Sequence, residues 1–128
     1  MKAPARTGLS STARGRIGEQ TAAVFLAERG YRVLARNQRT PLGEIDIVCR
    51  SLSEVVIVEV KARSGEEHGE ALESVGPRKA SRLRAAAAWW LSERGWFPCA
   101  VRFDIVTVAL DHEGSPRSVH HLKNVLET

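Results

Sequence analysis

The chain has 128 residues, of which 43% are hydrophobic and 27% charged. That composition fits one ordinary globular domain and excludes two full domains or a disordered chain. Lysine and arginine total 19 against 15 acids, for a net charge of +4. Residues 1–18 carry Lys2, Arg6, Arg14 and Arg16 and no acid, so the whole excess sits there and the remainder is balanced. A basic arm on a neutral body suits a polyanionic partner, with a solvated tail as the plainer alternative. No apolar run approaches the ~20 residues of a membrane span, and no apolar stretch follows the N-terminal charges as it does in a secretory signal. Cys49 and Cys99 lie 50 residues apart, neither a CxxC pair nor a disulfide framework. Both are expected as reduced core thiols of a cytoplasmic protein.

Residues 1–13 are small, polar and aperiodic, and are expected as a disordered arm. Residues 14–29 read as a helix stopped by Gly30, with Ala22, Ala23, Phe25 and Leu26 on its apolar side. A strand follows over 31–39 and ends at the turn residues Thr40-Pro41-Leu42-Gly43. Residues 44–50 and 55–62, rich in Ile and Val, predict two further strands. Residues 63–76 read as a loop. Pro77 opens a second helix that stops at Gly95. Residues 100–110 form a fourth strand, and 117–122 a doubtful short edge strand after the turn at 111–116. The expected architecture is one domain over 14–122 with a tail at 123–128. It is of the α/β class, a mixed four- to five-stranded sheet flanked by helices in the order α-β-β-β-α-β. The second helix predicts a right-handed crossover, making the third and fourth strands parallel.

The central hairpin carries the strongest chemical signal. Centred between Leu52 and Ser53, it places Asp46 opposite Glu59 and Glu44 opposite Lys61. With period-two alternation, these four share one face, while Ile45, Ile47, Val58 and Val60 share the other. Two opposed carboxylates repel unless one is protonated or a cation lies between them. Mg²⁺ satisfies such a pair, using one or two carboxylates and several waters. Lys61 follows Glu59 on the same face, within reach of a phosphate oxygen. Glu19 lies on the buried stripe of the first helix with Ala22, Ala23 and Leu26. Lys79 lies on that of the second helix with Leu83, Ala86 and Trp90. Each needs an oppositely charged partner. The plainer alternative for the set is a sheet with cross-strand salt bridges such as Glu44 to Lys61.

Asp46 followed by Glu59-Val60-Lys61 on the next strand resembles the PD-(D/E)XK nuclease superfamily, with Ile45 where the proline of its name would stand. Four blocks in order are more specific: Gly15-Arg16-Ile17-Gly18-Glu19, Gly43-Glu44-Ile45-Asp46, Val58-Glu59-Val60-Lys61-Ala62-Arg63 and Arg102-Phe103-Asp104. Together they resemble the YraN family, which is similar in fold to Holliday-junction resolvases. The resemblance covers residues 13–110. It implies a restriction-endonuclease-like core and a metal-dependent DNA endonuclease acting on branched or processed DNA. Mg²⁺ or Mn²⁺ would be held by Asp46, Glu59, the Val60 backbone carbonyl and Glu19. Lys61 would orient the attacking water, with Glu44 and Lys79 in support.

Such chemistry needs no His, Ser or Cys nucleophile. His68 and His112 are expected solvated, and the adjacent His120 and His121 point apart. Arg16, Arg63, Arg78, Arg82 and Arg84 are the expected DNA contacts, through phosphates. Trp89 and Trp96 are candidates for base stacking, and Trp90 for the core. Arg102 and Asp104 share a strand face and are expected as a structural pair beside the site. The expected partners are DNA and, by analogy with resolvases, a second copy in a homodimer, with no membrane and no small-molecule cofactor. The competing reading is a non-catalytic nucleic-acid-binding or scaffold protein on the same fold. A protein-binding module using the edge strand is a third.

Overall fold

A computed structural model of the protein describes residues 10–65 and 75–126. The elements are α1 (Ser11–Glu28), β1 (Arg32–Thr40), β2 (Gly43–Arg50), β3 (Val55–Ser64), α2 (Pro77–Glu93), β4 (Val101–Leu110) and β5 (Pro116–Leu122). The five strands form one sheet in the order β1-β2-β3-β4-β5. β3 and β4 run parallel, as the helical connection predicts, and every other neighbouring pair is antiparallel.

Most boundaries fall within one or two residues of expectation, and the two ends of the chain differ more. α1 begins at Ser11 rather than residue 14, because the Ser10 hydroxyl caps it by accepting the Ala13 N–H at 3.1 Å. Only residues 1–9 of the expected arm therefore fall outside the described residues, as does His68. β5 is a full edge strand of 7 residues. The tail expected at 123–128 is anchored through 126. The Val125 N–H donates to the Phe103 carbonyl at 2.7 Å, and Arg84 Nη2 donates to the Leu126 carbonyl at 2.6 Å.

Each sheet face has its own core. Ala22, Ala23 and Leu26 of α1 bury Ile47, Cys49, Val56, Val58, Val106, Val108 and Leu110. Ala86, Ala87, Trp90 and Leu91 of α2 bury Ile45, Val48, Val55 and Ile57. Fully burying one Leu or Ile side chain contributes about 1.5–3 kcal/mol, so two such layers hold the sheet from both sides. α1 lies unusually close to β3 at Gly18, where an added Cβ would meet the Ala62 Cβ at 2.7 Å. Glycine here sets the depth at which the next residue, Glu19, meets the sheet.

The two cysteines part company. Cys49 is a buried free thiol, pushed up to about 12 by burial and by the nearby Asp104. Cys99 is free but exposed, contrary to the expectation of two core thiols. It lies in the short link before β4, where no helix covers the chain. Among the described residues no helix is long and apolar enough to cross a membrane.

Candidate functional site

The hairpin register is the expected one over Ile47↔Val58, Val48↔Ile57, Cys49↔Val56 and Arg50↔Val55. The ladder stops there, so Asp46 does not become a ladder partner of Glu59. Its Oδ2 instead accepts the Val60 N–H at 2.8 Å, occupying the place of a backbone acceptor. On the other side of Asp46, Asn37 of β1 has a left-handed backbone (φ 51). The pleat breaks at this level. Ile45 consequently enters the α2 core while Ile47 enters the α1 core, and the expectation that both share a face is overturned. Asparagine tolerates this conformation better than most side chains.

Glu44, Asp46, Glu59, Lys79 and Arg82 line one cavity of about 360 Å³. Lys61 Nζ lies 2.9 Å from Glu59 Oε2, and the Lys79 ammonium pairs with the same oxygen. The two expected lysines thus converge on one carboxylate, Lys61 from the neighbouring strand position and Lys79 from the first turn of α2. Burial alone would push the Glu59 carboxyl up. Hydrogen bonds from Lys79 and Lys61 outweigh burial and hold it below its ordinary value. The ion pair in turn raises Lys79 against its own partial burial.

Asp46 behaves in the opposite way. Burial and repulsion from Glu59, Glu19 and Glu44 outweigh the Val60 N–H and push its carboxyl up to about 6. Glu19 is also raised, chiefly by burial and against a hydrogen bond from Asn37 and the charge of Arg36. Glu19 therefore approaches the cluster from α1, while Glu59 and Lys79 approach from the α2 side. Glu44 does not bridge to Lys61. Its carboxylate faces Arg39 at 3.8 Å on an exposed rim, because the ladder that would have opposed it to Lys61 has ended. As these side chains stand, no three His, Cys, Asp or Glu groups among the described residues converge tightly enough to enclose a metal ion.

Of the five expected DNA-contact arginines, Arg82 lines the cavity. Arg63 and Arg78 are exposed near it, on the Lys61 strand and beside Lys79. Arg16 is exposed on α1. Arg84 is tied to the C-terminal segment through Leu126. Trp90 is core, as expected, and its Nε1 donates to Gln38 Oε1 at 2.8 Å. Trp96 is exposed. Arg102 and Asp104 do pair, at 2.7 Å, but not beside this site. Asp104 alternates with Val106 and Val108 onto the α1 face, whereas Glu59 and Lys61 lie on the α2 face.

Sequence reasoning missed Arg36 and Asn37. Arg36 Nη1 donates to Gln20 Oε1 at 2.9 Å, while its buried Nε has no hydrogen-bond partner among the described residues. The available signal was the polar run that opens at Arg36-Asn37 directly after the apolar Val33-Leu34-Ala35 of the same strand.

The fold and this site define a class: a mixed α/β sheet that ends a central hairpin at a carboxylate-lysine cluster. The profile of the "Uncharacterised protein family UPF0102" matches residues 18–108. The chain belongs to this family, the YraN family of the motif resemblance. A UPF0102 protein of Moorella thermoacetica is 48% identical over 110 residues, covering 86% of this chain and 92% of that protein. One from Pelotomaculum thermopropionicum is 44% identical over 110 residues, with the same coverage. One from Anaeromyxobacter dehalogenans is 47% identical over 108 residues, covering 84% of this chain and 80% of its own length.

Proposed function

We propose that the protein is a divalent-metal-dependent endonuclease that hydrolyses phosphodiester bonds in DNA. The carrying observation is Asp46. It is a half-buried carboxylate with a single hydrogen-bond donor and three like-charged neighbours, in a cavity that Arg82 and Lys79 also line. Its like-charged neighbours outweigh those cations at Asp46, and a hard divalent cation relieves that repulsion.

The donor set fits Mg²⁺ or Mn²⁺. Asp46 and Glu59 offer hard oxygens on one cavity, and such ions commonly bind through two carboxylates and keep several waters. The Val60 carbonyl and Glu19 are the further donors this reading names. A bound ion supplies charge neutralisation and a more acidic water. The chain's own residues do the rest. Lys61, partly buried, carries a fixed ammonium that offsets charge on a scissile phosphate and positions a water by hydrogen bonding. Arg82, Arg63 and Arg78 bind flanking phosphates without reading bases. Glu19 keeps the negative field that draws a cation to Asp46.

One observation favours the non-catalytic reading. Lys79 already neutralises Glu59, as in a site that needs no metal. A cleavage assay separates the two. Linear, single-stranded, flapped and four-way-junction DNAs are incubated with Mg²⁺, Mn²⁺ or EDTA, beside Asp46→Ala. Metal-dependent products absent from the variant are expected. Products unchanged in the variant would overturn the proposed site. Salt-sensitive DNA binding without products would favour the binding protein.

A further inference from the structure

A second cavity, of about 590 Å³, opens beside the turn between β2 and β3. That turn is at the far end of the hairpin from Lys61 and Glu44. Its lining includes Arg29, Tyr31, Ser51, Ser53, His121 and Lys123, and no carboxylate. Among the described residues neither Arg29 nor Lys123 has an acidic partner. Arg29 is held by a ring instead, its guanidinium carbon 3.6 Å from the Phe25 centroid.

The wall is braced from behind. Asp104 has no exposed side-chain surface. Its Oδ1 accepts Arg102 Nε and the Asn124 N–H, both at 2.9 Å. Its Oδ2 accepts Arg102 Nη2 at 2.7 Å and lies 2.7 Å from His121 Nε2. An ionised carboxylate only accepts, so His121 donates through Nε2, and among the described residues Nδ1 has no partner. Arg102 Nη2 also donates to the Tyr31 oxygen at 2.7 Å. With its oxygen engaged by a cation, the Tyr31 hydroxyl has its proton to offer. Ser51 Oγ already donates to the Glu54 carbonyl at 3.3 Å, which leaves Tyr31 and Ser53 as the hydroxyl donors. Two unpaired cations and these two hydroxyls therefore face one volume, which lies within the usual size of a small-ligand site.

We propose that this cavity is a phosphate-binding site, independent of the Asp46 cavity and taking a phosphate group between Arg29 and Lys123. Two cations match the charge of a phosphomonoester. The Tyr31 and Ser53 hydroxyls match its many oxygens, as arginine's fork does. The group is either a terminal phosphate on a nucleic acid or mononucleotide, or a phosphodiester of a backbone.

The test is an NMR titration of the full chain with inorganic phosphate. A single-stranded oligonucleotide is then titrated with and without a 5′-phosphate. Shifts at Tyr31, Ser51 and His121 are expected. The doubly substituted Arg29→Ala, Lys123→Ala variant should weaken phosphate binding about tenfold or more, equivalent to ~1.4 kcal/mol. Both residues are exposed, so folding is preserved. Asp46→Asn should bind phosphate as the wild type does, which separates this site from the proposed nuclease site. Preference for the 5′-phosphorylated oligonucleotide assigns a terminal phosphate, and equal binding assigns the backbone. Absent shifts, unchanged affinity in the double variant, or loss of phosphate binding in Asp46→Asn would each overturn the proposal.

Discussion

Asp46, half-buried, and Asp104, fully buried, are aspartates of one sheet, and desolvation pushes both carboxyls up. Their partners reverse the outcome. Asp104 receives His121, the Arg102 guanidinium and the Asn124 amide, which together hold it below its ordinary value. Asp46 receives one backbone N–H and faces three other carboxylates, which leaves it at about 6. Desolvation alone therefore does not set the state of a carboxylate. The balance of donors against like charges does, and in this molecule it differs across the two faces of the sheet.

The comparison can be broken by substitution. Asp104→Ala should show the largest effect, because it leaves Arg102 and His121 buried without their shared acceptor. Removing one partner of a buried pair costs about 3–5 kcal/mol. Urea unfolding measures it, and a loss below about 1 kcal/mol would remove the structural role argued for Asp104. Asp46→Asn should do the reverse, abolishing cleavage by about a hundredfold or more, or ~2.7 kcal/mol, while stability holds or rises. A variant that unfolds as readily as Asp104→Ala would equate the two sites.

Gly18→Ala sharpens the contrast from the helix side. The new Cβ collides with Ala62, displacing α1 and with it Glu19. Overpacking of this kind costs about 1–3 kcal/mol, and cleavage should fall with stability. Wild-type activity and stability together would show that the approach of α1 is not needed.

The pH dependence should split the two aspartates by sign. Asp46 has a raised folded-state pKa, so the stability it contributes is fully present below its unfolded value near 4 and is lost as pH rises through about 6. Asp104 has a lowered one, so its contribution is present above about 4 and is lost as pH falls through its folded-state pKa. Comparing wild type with Asp46→Asn between pH 4 and pH 7 should isolate about 1–2 kcal/mol. That is the linkage value of ~1.4 kcal/mol per unit, reduced for the open cavity. A difference that does not change over this window would mean that Asp46 titrates normally.

The hairpin that carries Asp46 was legible in the sequence. The two β-branched runs and the polar residues between them fix the hairpin register, and four ladder pairs follow it. The convergence of Lys61, Lys79 and Glu19 on the carboxylates followed from helix and strand periodicity. The end of the ladder at Asp46 was not legible, because it depends on one left-handed residue, Asn37, in the neighbouring strand. Of the Asp104 cluster, the pair with Arg102 was expected and is present, and the contact with His121 was missed for a different reason. His121 pairs with Val106 and so lies diagonally across from Asp104 on the same face. Only with the last strand paired to the fourth do these residues meet. The exposure of Cys99 reflects a link that no periodic pattern covers.

The bond between the Val60 N–H and Asp46 Oδ2 gives the protein an internal indicator. A main-chain amide hydrogen-bonded to a carboxylate senses the charge on that carboxylate. The Val60 amide resonance should therefore move with the protonation of Asp46, with a midpoint near pH 6, and should move again when a cation takes up the same oxygen. One backbone signal would then follow acid titration and ion uptake in the unmodified protein, without substrate or a label on any functional side chain.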